Sequence, residues 1–209
     1  HLWSQYPAIL GGGYETLDGD RAFRNLLALM PDVLAARYQA KRGLVQKKFR
    51  WVPHHLCHIA SAFYPSPFTE AAALVIDGIG EYDTTTLADC TPEGIRILEA
   101  IDYPHSLGFI WEVITNFLGF RGNHDECKIM GLAAYGNPEA HRVALKKLVR
   151  LGDDGRFQTK IDPGVLNGDY SALERLFGVP RRLPHQPLVW EGPNPFHANL
   201  AASLQETTT

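Results

Sequence analysis

The segment His54-His55-Leu56-Cys57-His58 holds the side chains with the clearest chemical potential in this sequence. If His54 opens a helix, His54 and His58 stand four residues apart on one face, and His55 points elsewhere. Two imidazoles at that spacing can share a metal ion, although a polar helix start with one stray histidine reads the same way. Asp77 strengthens the metal reading. It follows the apolar run Ala72-Ala73-Leu74-Val75-Ile76, and strand ends are where α/β proteins collect functional groups. Asp77-Gly78 is also an ordinary turn pair, and the two uses are compatible. Two histidines and a carboxylate suit iron(II), with manganese and zinc also fitting the donor set. The expected metal ligands are His54, His58 and Asp77.

Gly78 and Gly80 flank the turn after Asp77. Glycines let backbone approach a phosphate closely, and successive N–H groups can form an anion nest, but a plain hairpin uses the same residues. Lys128, near an expected helix start, can meet a phosphate or simply face solvent. His105, His141, His185 and His197 show no metal spacing. Cys57 lies off the face shared by His54 and His58 and is assigned to packing.

The elements that must place these groups follow from periodicity. Gly11-Gly12-Gly13 centres a turn-rich start, and Asp20 opens a helical pattern (Phe23, Leu26, Leu27, Met30, Val33, Leu34, Tyr38) that runs to about Gly43, with Pro31 a candidate break. Phe49 to Pro53 is short and β-prone, His54 to Tyr64 helical, and Ala72 to Ile76 a central strand. Thr84 to Ala88 and Ile95 to Leu98 follow as strands joined by the turn Thr91-Pro92-Glu93-Gly94. Helices are expected from Ser106 to Leu118, Asp125 to Tyr135 and Asn137-Pro138 to Leu151, with Gly131, Ala133 and Ala134 implying close helix packing. Residues 152–193 are polar and rich in Pro and Gly. They read as an insertion or surface layer with a strand at Arg156-Phe157-Gln158 and a helix from Tyr170 to Leu176. A last helical pattern (Phe196, Leu200, Ala201, Leu204) is still running at the end of the sequence. Central strands followed by helices indicate an α/β or α+β arrangement.

Composition narrows the function. The 209 residues carry a formal net charge of −3 with both signs interspersed, unlike the basic footprint of a nucleic-acid binder. No apolar run has the length of a membrane span, and no signal-peptide pattern opens the sequence. Three cysteines without CxxC spacing argue against a disulfide framework and indicate a reducing, cytoplasmic setting.

At these same residues the sequence resembles the NodU/CmcH carbamoyltransferases. His54 to Phe68 is similar to their HHxxHxxSAFxxSPF stretch, and Val75-Ile76-Asp77-Gly78-Ile79-Gly80-Glu81 to their VDGxGE. Ser106-Leu107-Gly108 resembles SLG, and Lys128 to Gly136 resembles KVMGLAPYG. The resemblance implies an α/β fold of the actin-like ATPase type, with a mixed sheet and flanking helices. It implies a divalent metal on His54, His58 and Asp77, and phosphate or cofactor contacts from Gly78, Gly80, Glu81 and Lys128. It further implies carbamoyl phosphate and ATP as co-substrates and carbamoyl-adenylate as donor. A small-molecule hydroxyl, as on a sugar or antibiotic, is the implied acceptor.

The sequence departs from the family in several places. The family's opening His-Asp strand pair and its YrdC-type domain are not found. Asp125-Glu126-Cys127 stands where the family has Gly-Glu-Tyr, and Ala134 where it has Pro. Residues 1–209 are therefore expected to be one incomplete actin-like domain from a longer enzyme. The alternatives are a hydrogenase-maturation or tRNA-threonylcarbamoylation relative, or a non-catalytic metal-binding remnant.

Overall fold

A computed structural model describes residues 28–80 and 82–209. The glycine turn at residues 11–13, the helix start at Asp20 and the contact from Glu81 lie outside the described residues. The chain divides into two units, His1–Pro53 and His54–Thr209.

In the first unit, helix α1 covers 28–37 and runs through Pro31 without interruption. It stops earlier than the expected Gly43. Gln39 adopts φ 50°, the Ala40 N–H donates to the Ala35 carbonyl, and the Gln39 N–H to that of Ala36. This is a Schellman closure built without glycine. Helix α2 (Arg42–Lys48) follows, tied back by a two-pronged pair between the Arg42 guanidinium and Asp32 at 2.6 and 2.7 Å. Residues 49–53 form no strand. The Phe49 N–H closes α2 on the Val45 carbonyl, and Arg50 donates to the carbonyls of Lys47 and Phe49.

The second unit opens with α3 (His54–Phe63), stopped as expected before the prolines at 65 and 67. A three-stranded meander follows: β1 (Ala71–Ile76), β2 (Asp83–Thr91) and β3 (Gly94–Asp102), in the order β1-β2-β3. All pairings are antiparallel, so the expected mixed sheet is not what forms among the described residues. The reason is local, because both connections are tight turns that reverse the chain without a crossover helix. Thr91 pairs with Gly94 around Pro92-Glu93, the hairpin the sequence specifies. Among the described residues β1, expected as a central strand, lies at the edge of this sheet, and Ala72, Leu74 and Ile76 face outward.

Two cores result. Ile59 and Phe63 of α3 pack on Ala88 and Cys90 of β2, with Ala73, Val75 and Ile95 alongside. The larger core gathers α4 (Leu107–Phe117), α5 (Glu126–Ala133), α6 (Arg142–Leu145), α7 (Ser171–Phe177) and α8 (Phe196–Thr208) around Ile110, Ile114, Phe117, Ile129, Leu145, Leu200 and Leu204. A hairpin of β4 (Val149–Leu151) and β5 (Phe157–Thr159) lies between α6 and α7. Val165, Tyr170 and Leu173, within residues 152–193, are buried in the larger core.

The long helix expected from Asn137 to Leu151 is cut to four residues. Its first amides are taken elsewhere. The Asn137 N–H donates to Asn199 Oδ1, the His141 N–H to Ser203 Oγ, and the Glu139 N–H to the Asn137 side chain. Each such bond is worth about 0.5–1.5 kcal/mol, comparable to a helical bond. No helix among the described residues is long and apolar enough to cross a membrane.

Candidate metal centre

α3 begins directly after Pro53, and its helical spacing turns His54 and His58 to one side and His55 to the other. Ile59 and Phe63 seat the opposite face on the sheet. Asp77 is the first residue beyond β1, and its N–H still reaches across to the Thr84 carbonyl at 2.9 Å, so its backbone is held by the adjacent strand.

The three side chains meet. His54 Nε2 lies 2.8 Å from Asp77 Oδ2, His58 Nε2 lies 3.3 Å from the same oxygen, and the two Nε2 atoms are 3.0 Å apart. Ligands bound at about 2.1 Å to a common ion stand about 3.0 Å apart at a right angle and about 3.4 Å apart at the tetrahedral angle. The observed separations of 2.8, 3.0 and 3.3 Å lie within about 0.2 Å of that range, so the residues fit a divalent ion held on one face. Two imidazole nitrogens facing each other at 3.0 Å also need a proton or a cation between them. Both histidines are about half exposed, which leaves the far side of the triangle open. His58 and Asp77 also line a groove of about 530 Å³ that runs along β1.

Burial works to raise the Asp77 carboxyl, but the Gly78 N–H and the rings of His54 and His58 outweigh it and hold the group below its ordinary value. Asp77 is thus kept as a carboxylate, the form a metal requires.

The turn bearing Asp77 is braced from α4. Ser106 is the N-cap, accepting from the Phe109 N–H, and its hydroxyl lies 2.7 Å from the Gly78 carbonyl and 3.2 Å from that of Asp77. Gly108 sits so close that a Cβ there would lie 2.5 Å from the Gly78 nitrogen. Thr84 Oγ1 donates to the carbonyls of Ile101 and His105 behind the same turn. The segment Ser106-Leu107-Gly108 therefore positions Asp77. Periodicity marks Ser106 as a cap but does not reveal this second task.

The other expected contacts are distributed differently. The Gly78 N–H donates to Asp77 Oδ1 at 2.6 Å and the Gly80 N–H to the Asp83 carbonyl at 2.8 Å, so both amides are engaged within the turn. Gly80 is instead a close-packing position, since a Cβ there would lie 3.1 Å from the His55 ring. Lys128 pairs with Asp125 at 2.9 Å and lines a shallow hollow with Phe120, Tyr135 and Trp190. The contacts seen among the described residues do not join it to His54, His58 or Asp77. His55 points away from His54 and His58 as expected, and its burial against Thr86 is not foreseeable from the sequence.

Residues 19–208 match the family described as carbamoyltransferase N-terminus. An uncharacterized protein of Synechocystis is 39% identical over 159 residues, covering 74% of this chain and 25% of that protein. The nodulation protein NolNO of Sinorhizobium fredii is 32% identical over 177 residues, covering 79% of this chain and 24% of that protein. The nodulation protein NolO of Bradyrhizobium diazoefficiens is 33% identical over 158 residues, covering 73% and 26%. The chain spans about a quarter of the length of these relatives.

Proposed function

The chain belongs to the carbamoyltransferase family, matching its N-terminal region, and from that premise we propose that it is the metal-binding part of an O-carbamoyltransferase with an actin-like fold. In this reading the donor is carbamoyl-adenylate, made from carbamoyl phosphate and ATP in a YrdC-type domain outside these residues. The oxygen of a small-molecule hydroxyl, as on a sugar or antibiotic, bonds to the carbamoyl carbon. The bond from that carbon to the phosphate oxygen breaks, AMP leaves, and the hydroxyl proton passes to a base or to water.

A divalent cation, iron(II) by preference and manganese or zinc as alternatives, supplies Lewis-acid neutralisation of the phosphate when bound. His54 and His58 would hold it through Nε2 and Asp77 through Oδ2, the atoms already turned toward one another. The ionised Asp77 offsets the cation's charge, and the exposed side of the triangle gives a phosphate access. An actin-like sheet larger than three strands is supported by β1, whose apolar residues, and whose edge left unpaired among the described residues, suit an interior position better than a border.

The convergence of His54, His58 and Asp77 within one triangle carries the proposal. Elemental analysis of protein purified without tags or chelators tests it, with wild type beside His58→Ala. The expected result is near-stoichiometric metal in the wild type and a sharp loss in the variant. No metal in either after anaerobic reconstitution with iron(II) would overturn it.

A further inference from the structure

His55 lies between the two candidate ligands and is buried, 3% exposed, while their side chains are about half exposed. Its Nδ1 lies 2.6 Å from Thr86 Oγ1. Thr86 is fully buried on β2 and stands directly opposite Val75, two residues before Asp77 on β1. The bond thus joins the first turn of α3 to the strand pair that ends in Asp77. Gly80, in the turn after Asp77, closes on the same ring, at 3.1 Å from the His55 Cδ2 for an added Cβ.

Apolar contacts are non-directional, and Ile59 and Phe63 alone would let α3 turn or slide on the sheet at small cost. A turn about the helix axis carries His54 and His58 past Asp77 together. A short directional bond at the level of the ligands blocks that motion. We propose that His55 is a positioning residue: its bond to Thr86 fixes the rotation of α3 so that His54 and His58 converge on Asp77. The inference rests on the metal reading above and extends it.

The test titrates the purified chain with cobalt(II), whose visible absorption reports ligand geometry, following affinity and spectrum together. Thermal melts control for folding. Thr86→Val keeps the shape and removes the hydroxyl, Thr86→Ser restores the hydroxyl, and Gly80→Ala crowds the ring without deleting a bond. The expected result is about tenfold weaker cobalt(II) binding with altered absorption in Thr86→Val and Gly80→Ala, the size usual for supporting groups around a metal, and near wild-type behaviour in Thr86→Ser. Unchanged affinity in both weakening variants overturns the positioning role while leaving the metal site standing. If Thr86→Val does not fold, unchanged binding by Gly80→Ala decides against the proposal. A wild type that takes up no cobalt(II) overturns the metal reading, and the positioning role with it.

Discussion

One hydroxyl serves two elements: Ser106 Oγ accepts from the Phe109 N–H at 3.0 Å, capping α4, and donates to the Gly78 carbonyl at 2.7 Å, one residue beyond Asp77. The start of a core helix and the carboxylate turn therefore share an atom. Ser106→Ala removes both bonds and leaves buried groups unpaired. The expected loss is about 1–3 kcal/mol of unfolding free energy, combining a cap and a buried hydrogen bond. Urea denaturation measures it, and metal affinity should fall in the same variant because Asp77 loses its brace. A variant as stable as the wild type would show that the double bond is dispensable.

Two glycines of one segment should respond in opposite ways. A Cβ on Gly136 would lie 2.0 Å from the Ala198 carbonyl oxygen, inside the contact of the α5 end with α8. A Cβ on Gly131, on the exposed side of α5, meets nothing within 4 Å. Gly136→Ala is expected to destabilise by several kcal/mol or to prevent folding, since backbone must move. Gly131→Ala should stabilise by roughly 0.4–1 kcal/mol through the unfolded state and helix propensity. Thermal melts of the pair give the comparison, and equal effects would contradict the packing described.

This contrast shows where the sequence was legible. The convergence of His54, His58 and Asp77 could be read because helical spacing and a strand end are local features, and the same holds for the Ser106 cap and the hairpin at Pro92-Glu93. Which glycine carries close packing could not be read. Of the expected contact stripe Ala133 packs against the larger core, yet Gly131 faces open space and the tight glycine contact occurs at Gly136, set by α8 more than sixty residues later. The shortened α6 has the same cause, because Asn199 and Ser203 take the amides of Asn137 and His141. An apolar run such as β1 records what its side chains prefer but not whether a neighbouring strand is there. Gln39 ends α1 in a conformation that glycine would have announced.

Acid should weaken the larger core through two histidines. Burial holds His141 below its ordinary value of 6.5, with the Phe177 and Phe196 rings edge-on to it. Burial and the Arg182 guanidinium do the same for His197, whose Nδ1 accepts from the Val189 N–H and must be unprotonated to do so. The unfolded chain takes up these protons first as pH falls. The stability they carry is complete above about pH 6.5 and is lost as pH drops toward the lower folded values. Melting temperature should therefore decline from pH 7.5 to pH 5.5. The decline should be shallower in His141→Phe, which keeps an aromatic ring in place without the proton site. A wild type with a flat profile over that range would refute the assignment.

The border of the sheet makes a final prediction. Leu74 is 63% exposed and Ile76 51%, and Leu74 stands opposite Leu87, itself partly exposed, so an apolar row runs across the outer face. β1 pairs with β2 on one side, and among the described residues no strand pairs with its other edge. Six uncharged residues without proline or bulge offer none of the protections that edge strands usually carry, and such an edge templates pairing with another chain. The isolated chain should therefore self-associate as its concentration rises, seen as growth in light-scattering mass on a dilution series. Leu74→Lys places a charge in the middle of the row and should shift that growth to several-fold higher concentration. Its helical content should not change, because the side chain points away from α3. A wild type that stays monomeric at every concentration would mean that this face is already satisfied, and would remove the support that β1 lends to a larger sheet.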